Sequence, residues 1–337
     1  MSAPSQVPTY QISLDEPPER RWEPVIRDYR QRIKGIYDHL EAQQSGLLST
    51  LISGAISLGS NFNMVLHEAE IQSIAKACDI PFGKLVILQI MYELCACCSS
   101  LVFTIGDKPV HVRTMDWALE ELKDLTIMVE FTHHNKVIYK AVTWAGYVGV
   151  MTAVKPGVAS VSLNYREGKG EIMKNLRNLV AGRWPAGYLI RYVMENPFSC
   201  ASLIEVLKTY QLVAPCYFIV AGTEADQCAD IVRDRDGGQL YRMKAKPDGK
   251  IIQTNIDLEA GDGASNILMS RERQAKAREV IMAIQEEDQD LGIVDLFARF
   301  TVSPIVNEIT IYMAIMSPQS GELACRIYTP AEIMALA

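Results

Sequence analysis

Histidine is scarce in this chain, with five in 337 residues. A catalytic plan built on Ser–His or Cys–His pairs, or a His-rich metal centre, has little to draw on. Basic charge is not in surplus either: 33 Lys and Arg stand against 40 Asp and Glu, for a net charge of −7. No basic stretch or tail occurs, which argues against nucleic-acid binding. No run approaches the roughly 20 apolar residues of a membrane span. The stretch at 47–56 is short, is interrupted by Ser and Gly, and reads as a buried helix. The first eight residues lack a basic region followed by an apolar run, so they do not read as a secretory signal. The eight cysteines are scattered and do not resemble a disulfide framework, and no Asn-x-Ser/Thr sequon occurs. These absences together point to a reducing, cytoplasmic setting.

What is present is a packed globular composition, 49% hydrophobic and 22% charged. Residues 1–22 are rich in Pro and polar groups, with an edge strand near 9–14. Apolar spacing of three and four predicts helices over 22–43 and 63–78, and Pro81 opens a third reaching Leu94. The period then changes. Strands are expected at 101–105, 110–115, 125–131, 137–144, 147–153 and 158–163, followed by helices at 188–195 and 201–210. Strands return at 217–221, 229–233, 239–243 and 251–254. Helices at 271–285 and 294–300 precede closing strands at 308–316 and 322–327. This is an α+β plan, which two antiparallel sheets between helical layers would fit.

One stretch gathers reactive groups. Cys98 heads Cys98-Ser99-Ser100-Leu101-Val102-Phe103, and His111-Val112-Arg113-Thr114-Met115-Asp116 follows on the next strand. Asn255 in Gln253-Thr254-Asn255 and Arg271 lie downstream. Thiol, guanidinium, carboxylate and amide are the parts needed to attack a carbonyl and hold its oxyanion. Each also has a plainer reading. A thiol on an apolar strand is more often a small buried hydrophobe, an Arg–Asp couple more often a surface ion pair, and Arg271 could lie on a solvated helix face. Cys95 and Cys98 have C-x2-C spacing, but no second pair completes four metal ligands. The expectation is therefore no metal and no cofactor. A histidine-free route exists if the thiol becomes the first residue of a new chain. Its own α-amine, with a pKa near roughly 7.7–8.0 against about 8.5 for the thiol, then serves as base.

The order and wording of several segments resemble the acid ceramidases and N-acylethanolamine acid amidases, which are N-terminal-nucleophile hydrolases. The matching segments include Leu14-Asp15-Glu16-Pro17-Pro18, Asp79-Ile80-Pro81, Tyr92-Glu93-Leu94, Ala145-Gly146-Tyr147-Val148-Gly149, Lys155-Pro156-Gly157, Val232-Arg233-Asp234-Arg235 and Gln253-Thr254-Asn255. The resemblance implies an αββα sandwich of the N-terminal-nucleophile type, preceded by a helical N-terminal segment. It implies self-cleavage of the Cys97–Cys98 bond into a helical fragment, 1–97, and a catalytic fragment, 98–337, that stay associated. Cys98 would be the nucleophile, Asp116 would hold its amine and Arg113 would orient Asp116. Asn255 would donate to the oxyanion, supported by Arg271, with Arg273 as the alternative two positions on.

The implied substrate is a long-chain N-acyl lipid, ceramide first, in an enzyme that touches membrane or a lipid-presenting protein transiently. The family's compartment is the lysosome, in tension with the cytoplasmic reading. Val112 and Thr114 stand where the family has Gly and Asn, and Tyr165 where it has Glu. The family's paired cysteines near the two ends are absent, so no disulfide between the fragments is expected. N-acylethanolamine as substrate, a peptide or bile-amide hydrolase, and a catalytically impaired lipid-binding relative all stay open.

Overall fold

The computed structural model describes residues 7–42, 66–90, 97–167, 172–244, 249–257, 265–287 and 291–336. The apolar stretch at 47–56, Cys95, and the far ends of the helices expected at 63–78 and from Pro81 lie outside them.

The N-terminal third supplies one strand and a set of helices. Strand β1, Thr9–Ser13, leads to helix α1, Glu23–Ala42. Ile26, Tyr29, Ile33, Tyr37 and Leu40 form the buried stripe of α1, at the spacing of an amphipathic helix. Helix α2, Glu68–Cys78, and helix α3, Phe82–Gln89, follow; Pro81 caps α3, where a missing N–H costs nothing. Strands β2, Cys97–Ile105, and β3, Lys108–Asp116, form a hairpin. A single turn, α4, Leu122–Leu125, leads into β4, Thr126–His133, and β5, Lys136–Trp144. Then come β6, Thr152–Lys155, and β7, Ala159–Tyr165. Helices α5, Ile172–Val180, α6, Ala186–Glu195, and α7, Cys200–Thr209, separate these from β8, Cys216–Gly222. Strands β9, Ala229–Arg233, β10, Gly238–Arg242, and β11, Lys250–Gln253, follow. The chain ends in α8, Ser270–Glu287, α9, Ile293–Phe300, β12, Thr310–Ser317, β13, Glu322–Ile327, and α10, Pro330–Met334.

Among the described residues the strands form two sheets, ordered β1-β4-β5-β6-β7-β8-β9-β10 and β11-β2-β3-β12-β13. The pairings are antiparallel except β1 with β4. The sheets face each other, β2 meeting β7 and β8 while β12 meets β6. Helices α6 and α7 cover the larger sheet, and α8 and α9 cover the smaller. This is the αββα sandwich expected. Strand β1 pairs with β4 and so ties the N-terminal segment into the larger sheet.

The differences from the sequence reading have physical causes. Residues 147–151 are not strand: the backbone turns at Gly146, whose φ is +94°. It then winds around the Tyr147 side chain, and a Cβ on Gly149 would meet the Tyr147 hydroxyl at 2.3 Å. Strand β2 begins at Cys97 rather than 101, because Cys97 and Cys98 pair with Asp116 and Met115. Helices α5 and α10 went unread, being short segments whose periodicity spans barely two turns. No helix among the described residues is long and apolar enough to cross a membrane.

Candidate active site

Side chains alternate across a strand, and this alternation builds the site. On β2, Cys98, Ser100 and Val102 point between the sheets, while Ser99, Leu101 and Phe103 point toward α8 and α9. On β3, His111, Arg113 and Met115 share the inter-sheet face. Cys98 is fully buried there, its Sγ 3.8 Å from Met115 Sδ and 3.1 Å from Arg113 Nη2. The Arg113 guanidinium is itself fixed. It donates to the carbonyls of Leu163 at 2.9 Å and Met151 at 3.2 Å, to the Tyr312 hydroxyl at 3.2 Å, and to Thr152 Oγ1.

Asp116, three positions after Arg113, projects from the opposite face of β3. Its guanidinium partner is Arg273 on α8, at 3.5 Å, and both side chains are fully buried. Thr310 donates to Asp116 Oδ1 at 2.7 Å and Thr114 to Oδ2 at 3.3 Å. Burial raises the Asp116 carboxyl above its ordinary pKa, outweighing the Arg273 charge and the Thr310 hydrogen bond.

Arg273 also reaches the nucleophile strand. It donates to the Cys98 carbonyl at 2.8 Å, Ser99 Oγ at 3.0 Å and Asn255 Oδ1 at 3.0 Å. Asn255 Oδ1 in turn accepts from the Cys98 backbone N–H at 2.8 Å, while its Nδ2 donates to the Tyr165 carbonyl at 2.8 Å. Two donors face the oxygen and one acceptor faces the nitrogen, which defines the amide orientation.

The fold thus brings Cys98, Arg113, Asp116 and Asn255 together, with three departures from the sequence reading. The helix-borne guanidinium is Arg273; Arg271 is half-exposed and its backbone N–H donates to Asn266. Residues two apart on a helix point roughly 200° apart, so only one of this pair can face β2. Asp116 is held by Arg273 rather than oriented by Arg113, because positions three apart on a strand face opposite ways. Asn255 offers Cys98 its side-chain oxygen, where an oxyanion donor would offer the nitrogen. The strand alternation was readable in the sequence. The contributions of Thr152 and Tyr312, and of Ser270, whose Oγ accepts from Arg273 at 3.1 Å, had no local signal, since they reach the site from distant strands and a helix start. Arg273→Lys keeps the charge but loses the fork and is expected to lower amide hydrolysis about 100-fold or more. Arg271→Ala should stay within about twofold of wild type in the same steady-state assay.

A family profile described as the beta subunit of N-acylethanolamine-hydrolyzing acid amidase matches residues 5–53, entirely upstream of Cys98. An acid ceramidase of Heterocephalus glaber is 30% identical over 339 residues, covering 92% of this chain and 83% of that protein. The chain belongs to the acid ceramidase and N-acylethanolamine acid amidase family. An uncharacterised protein of Acanthamoeba polyphaga mimivirus is 32% identical over 316 residues, covering 90% of this chain and 94% of its own. Among solved structures, a Caenorhabditis elegans ortholog of N-acylethanolamine-hydrolyzing acid amidase superposes with a TM-score of 0.60 at 23% identity. It covers 69% of this chain and 100% of its own, and shares the fold. This acid ceramidase family member is a hydrolase of amide bonds.

A buried polar chain runs to the nucleophile from one side. Both ring nitrogens of His111 contact serines, Nδ1 with Ser160 at 2.9 Å and Nε2 with Ser162 at 2.8 Å. Ser162 donates to Ser100 Oγ at 2.8 Å, and Ser100 to Asn164 Oδ1 at 2.7 Å. Asn164 Nδ2 donates to the Gln253 carbonyl at 2.9 Å and lies 3.5 Å from the Cys98 carbonyl. Burial, aided by the Arg113 charge, lowers His111 to about 3, so it is a neutral member of this chain. Arg166 grips Asp257 through two 2.8 Å contacts and so braces the segment that carries Asn255.

On the other side lies an apolar cavity of about 80 Å³. Ile33, Ile36 and Leu40 of α1, Leu85 and Leu88 of α3, and Trp117, Trp144 and Met151 are among its lining residues. Met151 also gives its carbonyl to Arg113, and Trp117 follows Asp116, so the cavity adjoins the site. The one trio among the described residues suited to a metal ion, Asp15, His133 and His134, is exposed at the β4–β5 hairpin. There His133 Nδ1 contacts Asp15 Oδ1 at 2.6 Å, which accounts for the grouping without an ion.

Proposed function

We propose that the chain breaks its own Cys97–Cys98 bond and then uses the freed cysteine to hydrolyse the amide of a long-chain N-acyl lipid, ceramide foremost. One observation carries the reading: Cys98 meets Arg113 through its sulfur at 3.1 Å and Asn255 Oδ1 through its nitrogen at 2.8 Å. In the first reaction Sγ attacks the Cys97 carbonyl, the peptide nitrogen leaves as the Cys98 amine, and water hydrolyses the thioester to a new carboxylate. In the second, Sγ attacks the substrate carbonyl after passing its proton to that amine. The amine returns the proton to the leaving nitrogen, and water releases the fatty acid. Asn255 Oδ1, already on the Cys98 nitrogen, takes over as anchor of the amine. Asp116, paired with Cys97 across the strands, acts through Arg273.

The acyl preference rests on the apolar cavity. At about 80 Å³ it is well below the roughly 300–1,000 Å³ that encloses a whole small ligand, so it receives part of an acyl chain. Cys98 is buried in the continuous chain, and cleavage frees the segment ahead of it. The fragments 1–97 and 98–337 stay joined through the β1–β4 pairing and through Gln89, which donates to the Gly146 carbonyl at 2.8 Å and accepts from the Val148 N–H at 2.9 Å.

Mass spectrometry of active protein should find both fragments, and labelled ceramide should be turned over faster than N-acylethanolamine or a bile-acid amide. Intact chain alone in an active sample, or turnover confined to short polar amides, would defeat the proposal. Leu88→Trp, filling the cavity, is expected to raise KM for a long-chain amide about tenfold while leaving a short-chain amide unaffected.

A further inference from the structure

The larger sheet ends in β10 and the smaller in β11, β11 meeting β9 across the sandwich, and an opening there holds a cavity of about 580 Å³. That volume is within the roughly 300–1,000 Å³ of small-molecule sites. Asp230 of β9 forms part of its wall, 2% exposed, and neither carboxylate oxygen has a hydrogen-bond partner among the described residues. Its strand neighbours Ala229, Ile231 and Val232 are apolar, so an acid here serves no packing need. Burial, with the nearby Asp257 charge, raises its carboxyl to about 7. Below that pH it is a neutral O–H donor pointed at empty space, and what it lacks is an acceptor.

The rest of the wall says what kind of acceptor. Lys244, Lys250 and Arg278 line the same cavity, and none of the three pairs with a carboxylate among the described residues, whereas the Arg242 guanidinium turns away to the Asp226 and Gln227 carbonyls. Three cations on the wall of a cavity that also holds a neutral donor repel an amine and call for an anion with several oxygens. A phosphate monoester supplies up to two charges and three free oxygens, more than a single carboxylate offers. Ile251 and Ile252 give the remaining wall an apolar surface for an organic portion. We infer that the β10–β11 opening binds a small organic phosphate, held by the rim cations and capped by Asp230. The site is separate from the catalytic cluster, although β11 runs on to Asn255 and α8 carries both Arg273 and Arg278.

Isothermal titration of the full-length chain with glycerol 3-phosphate and with inorganic phosphate tests this directly. A flotation arm with phosphatidic-acid vesicles, against neutral phosphatidylcholine vesicles, distinguishes a lipid headgroup from a soluble ester. The wild type should bind in at least one arm, and the double charge reversal Lys250→Glu with Arg278→Glu should weaken binding about tenfold or more. Asp230→Asn, which still donates, should bind better than Asp230→Leu. Arg278 is exposed, and unchanged thermal melting of the charge-reversed protein shows that any loss is not unfolding. Absence of binding in every arm up to about 10 mM, or equal binding by wild type and the charge-reversed protein, overturns the inference.

Discussion

Cys98→Ala is expected to yield a folded, uncut chain whose amide hydrolysis is down by a factor on the order of 10⁴ or more. The substitution removes one buried sulfur atom, which costs about 1 kcal/mol of stability and cannot explain inactivity through unfolding. Cleavage and turnover fail together because both need the same atom to attack a carbonyl. Three measurements separate the possibilities: the mass of the chain, its melting temperature and its turnover of labelled N-acyl lipid. An alanine variant that is still cut at 97/98 assigns the cut to another protease. One that still hydrolyses lipid removes Cys98 from the chemistry altogether.

The second large effect concerns what keeps residues 1–97 on the rest of the chain once the bond is cut. Glu70 of α2 is 1% exposed and sits at the centre of a clamp. Arg191 of α6 reaches both its oxygens, at 2.6 and 2.8 Å. Trp22 Nε1 donates at 2.6 Å and Arg21 at 3.0 Å. Glu70→Gln leaves Arg191 buried opposite a neutral group, which is expected to cost about 3–5 kcal/mol. In cleaved protein the two fragments should then separate on a sizing column where the wild type runs as one species. Glu70→Gln combined with Arg191→Met should recover part of the loss, since the fully buried guanidinium is then removed as well.

The pH dependence of this clamp has a definite sign. Burial alone would raise the Glu70 carboxyl, but the Arg191 charge and its hydrogen bonds more than reverse this and lower it to about 2. A depressed carboxyl contributes stability in full above its unfolded value, about 4.3, and loses it as the pH falls toward the folded value. The melting difference between wild type and Glu70→Gln should therefore be constant from neutral pH to about pH 5 and shrink only below about pH 4. A difference that already fades between pH 7 and 5 contradicts the clamp as described.

Much of this was legible in the residues. Periodicity placed β9 and β13 at their observed bounds and most other elements within a few residues, because each buries one face and so repeats apolar groups at its own period. Cys98 stood out as the candidate nucleophile because it lies at the start of a strand and within an ordered series of segments that resemble the family. The choice between Arg271 and Arg273 was not. Both lie on the same helix, and only the way α8 lies over β2 decides which one meets the Cys98 carbonyl.

By itself, then, the sequence determined the αββα plan, the thiol and the kinds of group around it, since periodic burial and residue chemistry are local properties. The tertiary structure alone decided which guanidinium serves which partner. Arg113 goes to the sulfur and Arg273 to Asp116, because the two faces of one strand look at different layers. It alone showed Asn255 turning its oxygen to the Cys98 nitrogen, and Glu70 binding the two halves of the chain, contacts made across 157 and 121 residues that no short-range pattern encodes.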